Sequence, residues 1–155
     1  MPAPGTQFSG PLISGPRQNA DNAGPANVGL AILSQTLVLS QNGVNNVSGT
    51  FTIPEHCQIL DFEIDNDVVW NAAVSASLTI GTAALGTQYQ NGVDVKAAIG
   101  RIAAPTLTNP QMLARGDTGT NKSVVVTVNV SAGATTTGHT RVTMLYVQTT
   151  AWMSP

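Results

Sequence analysis

The sequence predicts an all-β fold: a single antiparallel β-sandwich or jelly-roll-like domain preceded by an extended N-terminal arm. Period-two alternation of apolar and polar residues dominates after the opening. Turn dipeptides punctuate it at Asn42-Gly43, Ile53-Pro54, Asn91-Gly92 and Asn109-Pro110. The first 27 residues, MPAPGTQFSGPLISGPRQNADNAGPAN, are crowded with Pro, Gly and Asn. They suit neither a helix nor a central strand, because proline lacks an N–H and glycine weakens regular structure. The expected division is an arm over residues 1–27 and a β-sandwich domain over residues 28–155.

With 155 residues and 42% hydrophobic side chains, the chain has material for one domain with a real core. No repeat of about 20–50 residues is visible, which argues against a propeller or solenoid. Only 9% of the residues are charged, against about 25% in ordinary soluble domains. Ser, Thr, Asn and Gln must therefore cover much of the surface, or much of it is buried against partners. The formal net charge is −2 and the six Lys and Arg residues are dispersed. Strong nucleic-acid binding draws on clustered cations that release counterions from phosphates, so nucleic acid is not an expected partner. No apolar run approaches the roughly 18 residues of a membrane span. The opening has no basic segment followed by an apolar one, so the protein is read as made and used without Sec export. The Asn-x-Ser triplets at Asn46, Asn121 and Asn129 are then chance matches. Cys57 is the sole cysteine, which rules out an intrachain disulfide.

The arm carries Phe8, Leu12 and Ile13 along an otherwise polar thread, so it reads as a segment that lies on something else and points to assembly. In VGLAILSQTLVLS, Val28, Leu30 and Ile32 share one phase while Leu37 and Leu39 occupy the other; a bulge near Ser34 and Gln35 explains the switch, as does a strand buried on both faces, and the bulge is preferred. In VSGTFTI, Val47, Gly49, Phe51 and Ile53 share one side. In CQILDFEID, Leu60, Phe62 and Ile64 face in and Asp61, Glu63 and Asp65 face out. VSASLTI places Val74, Ala76, Leu78 and Ile80 together. The β-branched runs SVVVTVNV and HTRVTMLYVQ, separated by SAGATTTG, read as a long hairpin with a mobile polar loop. Residues 81–120 lack sustained alternation and read as a long inter-strand excursion, of the kind that tends to be functional. Its best helical signal is VDVKAAIGR, with Asp94 as cap and Gly100 as stop. Trp70 falls at a strand break, where a structural role is expected. Near the C-terminus, Trp152 and Met153 either cap the sandwich or dock on a neighbour.

Candidate chemistry is sparse. Asp61, Glu63, Asp65 and Asp67 alternate, which lines carboxylates along one strand face about 6.5–7 Å apart. They could gather a hard cation such as Ca²⁺. However, the loop glycine of a calcium-binding hand is missing and Ala72 stands where its last ligand belongs, so a solvated strand face is expected. His56 and Cys57 are adjacent, which on a strand points them to opposite faces; a buried structural Cys57 is expected over a nucleophile–base pair. His139, ending a Thr-rich loop, is expected exposed. GTAALGT has the glycine spacing of a phosphate loop but Thr87 where that motif needs Lys, so it reads as a tight turn after a strand. Arg115-Gly116-Asp117 spells an adhesion tripeptide, read as a chance match. No Ser/His/Asp set or Cys/His metal spacing stands out. The chain is read as non-enzymatic, with no metal and no cofactor.

The order FSGPLISGP, NVGLAILSQT, FTIPEHCQILDFEID, a Trp-containing strand leading into LTIGT, GVDVKAAIGR and a final hairpin ending in MLYVQ resembles the decoration, or cement, proteins of tailed-bacteriophage capsids. In these a Gly/Pro-rich arm precedes a β-sandwich. The resemblance implies a structural virion protein, made in the host cytoplasm, that binds the outer surface of an icosahedral shell and clamps neighbouring subunits. The implied partners are the major capsid protein and itself, as a homotrimer, with no nucleic acid and no membrane. It further implies that the arm crosses a subunit boundary, with Phe8, Leu12 and Ile13 as apolar anchors, Arg17 as polar tether, and Trp152 and Met153 as a second contact. Fully extended, 27 residues reach on the order of 90 Å. Ordering such an arm costs entropy, but it can touch several partners, and clustering on a shell adds avidity. Alternatives that use the same sandwich are a head-fibre or receptor/glycan-binding module and a minor tail or neck component. A small β-sandwich hydrolase or isomerase would need a pocket of convergent ionisable groups.

Overall fold

The computed structural model describes residues 31–43, 46–116, 118–131 and 135–148. These form β1 (Ile32–Ser40), β2 (Asn46–Ile53), β3 (Cys57–Val68), β4 (Ser75–Gly81), β5 (Gln90–Asp94), β6 (Gly100–Arg101), α1 (Asn109–Ala114), β7 (Lys122–Ser131) and β8 (His139–Gln148). The strands pair into two four-stranded antiparallel sheets, ordered β1-β8-β3-β6 and β2-β7-β4-β5. Each strand of the first half meets its counterpart from the second: β1 with β8, β2 with β7, β3 with β6 and β4 with β5. This is the pairing of one long hairpin, bent between β4 and β5, and it bears out the expected all-β fold of two antiparallel sheets.

The core lies between the inner faces. Leu39, Ile59, Phe62, Ile64, Val142 and Met144 come from one sheet; Phe51, Ile53, Leu78, Ile80, Val126 and Val128 come from the other. In β2 the alternation read from sequence holds, with Val47, Phe51 and Ile53 buried. Gly49 keeps the same side because Leu37 crosses over it: an added Cβ would stand 2.7 Å from the Leu37 methyls. Each fully buried aliphatic side chain contributes roughly 1.5–3 kcal/mol relative to exposure. The four inward valines of β7, Val124, Val126, Val128 and Val130, therefore make that central strand a main source of stability.

Several local expectations are corrected. β7 and β8 do not form a hairpin; they lie in different sheets, and the segment joining them crosses from one layer to the other. Their β-branched composition marks both as strands but carries no information about their partners. The bulge near Ser34 and Gln35 is absent, for β1 runs against β8 in continuous register. β1 is an edge strand, so its apolar residues need not share a phase: Ile32 and Val38 are exposed and Leu39 is buried. The bulge sits in β3, where the register shifts between Ile59 and Asp61, leaving Leu60 exposed and Ile59 buried. Val74 precedes β4 and is exposed. The stretch 81–120 is no structureless excursion, since it holds β5, β6 and α1. VDVKAAIGR does not form a helix; Val93 and Asp94 end β5, and Gly100 and Arg101 make β6. The helix instead follows Thr108, whose backbone N–H donates to Gln111 Oε1 at 2.9 Å, half of a capping box.

Trp70 closes the end of the sandwich opposite the start of β1 and the end of β8. It is fully buried, and its indole N–H donates to Thr140 Oγ1 at 2.7 Å. The Thr140 hydroxyl donates in turn to Asn66 Oδ1 at 2.6 Å, and the Asn66 amide donates to the carbonyls of Val95 and Ala98. This chain of bonds satisfies the polar groups that the closure buries. Gly138 is seated against the indole: a Cβ there would lie 2.4 Å from the ring, at φ 154°. Gly138→Ala is expected to cost about 2–4 kcal/mol in urea unfolding. Gly43→Ala, also at positive φ but facing open space, should cost about 1 kcal/mol.

Candidate functional site

Antiparallel pairing fixes where the undescribed termini attach. Ile32 at the start of β1 faces Val147, and Gln148 at the end of β8 faces Cys57 at the start of β3. The chain therefore enters and leaves the sandwich at one end. Phe8, Leu12, Ile13 and Arg17 belong to the segment entering there, and Trp152 and Met153 to the one leaving. All six lie outside the described residues. The same end carries exposed apolar side chains, Ile32 and Leu33 on β1 and Met112 and Leu113 on α1, with Leu113 81% exposed. At the opposite end Val74 and Ile99 are exposed.

Arg115, at the C-terminal end of α1, secures the corner beside this end. The Ile59 N–H donates to the Arg115 carbonyl at 2.9 Å, and the Thr118 N–H donates to the Cys57 carbonyl at 2.9 Å, so the segment after α1 lines the start of β3. The Arg115 side chain is buried. Its guanidinium donates to the Tyr89 carbonyl at 3.1 Å and to Gln90 Oε1 at 3.2 Å, stands 3.5 Å from Asp61 Oδ1, and lies 5.0 Å from the Phe62 ring centroid. Burial pulls this guanidinium below the usual arginine range, and the Asp61 charge and hydrogen bond oppose that shift. Burial also holds the Tyr89 phenol above its ordinary value. Arg115 thus fastens the segments beginning β3 and β5 to the end of α1. An adhesion role for Arg115-Gly116-Asp117 would need this guanidinium in solvent; Asp117 itself lies outside the described residues. The sequence signal for this corner was the Thr108-x-x-Gln111 cap that opens α1.

The four carboxylates do line one outer face, each beside a basic side chain. Asp61 is 3.5 Å from Arg115, Glu63 2.7 Å from Arg101, Asp65 3.7 Å from Arg141, and Asp67 2.8 Å from His139. Hydrogen bonding to Glu63, and then its charge, raise the Arg101 pKa. Among the described residues no cluster of three His, Cys, Asp or Glu could hold a metal ion. Cys57 is fully buried in the core, as expected, and His56 turns the chain at φ 54°. His139 is half-exposed beside Asp67. The GTAALGT stretch is a tight turn closed by the Gly86 N–H to the Ala83 carbonyl at 2.9 Å. It folds back so that the Leu85 N–H meets Thr127 Oγ1.

Among the clefts on the described surface are two beside α1 and β6. One, about 380 Å³, is lined by Thr87, Gln88, Asn91, Thr108, Pro110 and Gln111 and carries no ionisable side chain. The other, about 330 Å³, includes Asp61, Arg101 and Arg115, all three committed to the ion pairs above. Neither presents a nucleophile beside a base.

No family model matches the chain, and no curated protein matches it. Among solved structures it is similar to a chain of the cyanophage Pam1 capsid asymmetric unit, at 18% identity and a TM-score of 0.43, covering 86% of this chain and 99% of that one. A likeness of this degree establishes neither a shared function nor a shared assembly.

Replacing Arg115 with Met is expected to destabilise the fold by about 2–4 kcal/mol, because buried carbonyl and amide oxygens lose their donor. Arg115→Lys should restore only part, since one ammonium cannot span the fork. Asp61→Asn, at a 61% exposed side chain, should change stability by less than about 1 kcal/mol. Chemical denaturation of the three variants checks the ranking.

Proposed function

We propose that this chain is a structural virion protein that binds the outer surface of a tailed-phage capsid and clamps neighbouring subunits of the major capsid protein. The observation that carries the reading is the shared exit of both termini. The points where the two terminal segments attach lie together, Ile32 pairing with Val147 at one end of the sandwich, which suits both segments acting on one surface. The segment order resembling decoration proteins supports it, as does the 9% charged content, which suits a surface largely covered by partners. In this reading Phe8, Leu12 and Ile13 seat in apolar recesses of the shell, Arg17 pairs with an acidic or carbonyl group, and Trp152 and Met153 make a second contact. Copies crowded on one shell, whether or not as trimers, turn modest single contacts into lasting attachment.

Deleting residues 1–27 is expected to abolish binding to empty expanded capsids while leaving the melting temperature of the sandwich nearly unchanged. Phe8→Ala in the full chain should weaken binding about 10-fold or more, the loss of one buried aromatic anchor. Binding and shell stability that are indifferent to the deletion would contradict the reading. A clear ligand in a glycan screen would favour the fibre alternative.

A further inference from the structure

The cleft of about 330 Å³ lies where the segment 102–107 parts from β3, just after the Ile102 N–H donates to the Ile64 carbonyl at 2.8 Å. Buried Gln90 ties its walls together. The Gln90 amide donates to the Pro105 carbonyl at 3.0 Å, and its Oε1 accepts from Arg115 at 3.2 Å. The Arg115 guanidinium is unevenly satisfied. Its Nε and Nη2 donate to the Tyr89 carbonyl at 3.3 and 3.1 Å, whereas both contacts of Nη1, to the Leu60 carbonyl and to Asp61 Oδ1, are 3.5 Å long. A well-made bond between a cationic nitrogen and a carboxylate runs about 2.7–2.9 Å. Asp61 is a poor counter-charge, for its side chain is 61% exposed and the same oxygen accepts the Phe62 N–H at 2.8 Å. The other cation lining the cleft, Arg101, is answered by Glu63 at 2.7 Å. The weakly answered charge is therefore the buried one, Arg115.

We propose that this cleft binds a small carboxylate, whose oxygen takes Arg115 Nη1 while its carbon skeleton lies beside Ile102 and Leu107. A buried charge is held best by an opposite charge in direct contact, and Asp61 supplies that contact only at long range. A singly charged acid suits the site better than a phosphate, whose second charge Asp61 would oppose. The volume, at the lower end for ligand clefts, limits the occupant to about the size of one amino-acid residue. Gln90 keeps both walls in place before the ligand arrives, so little ordering is left to be done on binding. A free acid and the C-terminal residue of a peptide offer the same chemistry. The site is independent of the shell-binding reading.

The full chain tests this by NMR titration with isovalerate, N-acetylleucine, the neutral N-acetylleucinamide and inorganic phosphate. Both acids should give saturable shifts at the Phe62 amide and the Arg115 side-chain N–H, and the neutral amide should give none. Tighter binding of N-acetylleucine assigns the site to a peptide end; equal binding of the two acids assigns it to a free acid. Asp61→Asn removes the like charge and should tighten both acids about 3-fold. Arg115→Lys should weaken them about 10-fold, the loss of one charge-assisted bond. Should that variant fail to fold, Asp61→Asn still decides. No saturable shift with either acid at millimolar concentration, equal shifts with the neutral amide, phosphate binding in place of the acids, or an affinity that Asp61→Asn leaves unchanged or lowers overturns the proposal.

Discussion

The structure depends on one long-range constraint, the pairing of each early strand with a late one. β8 lies between β1 and β3, and β7 lies between β2 and β4 in the opposite sheet. Local propensity does not dictate this; it follows from burying the inner faces of both strands at once. β7 buries its four inward valines and Thr127, which requires a neighbour on both sides and a sheet beneath. A hairpin of β7 with β8 would leave the inward valines of one strand unable to face the inward Val142 and Met144 of the other. Crossing between layers resolves this, and the crossing brings Gly138 under Trp70. The indole can then reach Thr140 and, through it, Asn66.

The same constraint sets the polarity of the molecule. Because β1 and β8 are antiparallel neighbours, the two undescribed termini attach at one end, while the Trp70 network seals the other. Arg115 holds the corner beside the terminal end through carbonyls of different segments. Removing it would loosen the surface from which the termini depart. Each carboxylate on the outer face of β3 stands beside a basic side chain, Arg101 and Arg141 from the same sheet, His139 from β8 and Arg115 from the end of α1.

Much of the fold was legible in the sequence because strands in a two-layer sandwich have one wet and one dry face. Val47, Phe51 and Ile53 announce that alternation, and Phe62 and Ile64 repeat it. The signal fails where a strand has no dry neighbour. β1, an edge, exposes Ile32 and Val38 and so imitates a phase change. It fails also at the β3 bulge, where an extra residue throws Leu60 outward. Strand partners were illegible, since composition near residues 122–148 specifies extended backbone and not its mate. α1 was obscured because Asn109-Pro110 reads as a turn, although Pro in the first turn and Gln111 behind Thr108 are helix-start signals. Of the candidate contacts, none of the six named residues lies within the described structure, whereas the points where their segments attach do.

The account's central claim is that one end of the sandwich faces the shell, and the two lysines of the chain mark the two ends. Lys122 begins β7 opposite Ile53, at the terminal end. Lys96 follows β5 at the other, its ammonium 3.3 Å from the Ala73 carbonyl. Amine-reactive footprinting of the shell-bound protein against the free protein reads both at once. Selective protection of Lys122 with Lys96 still reactive is the predicted result; protection of Lys96 with Lys122 unchanged would contradict the account.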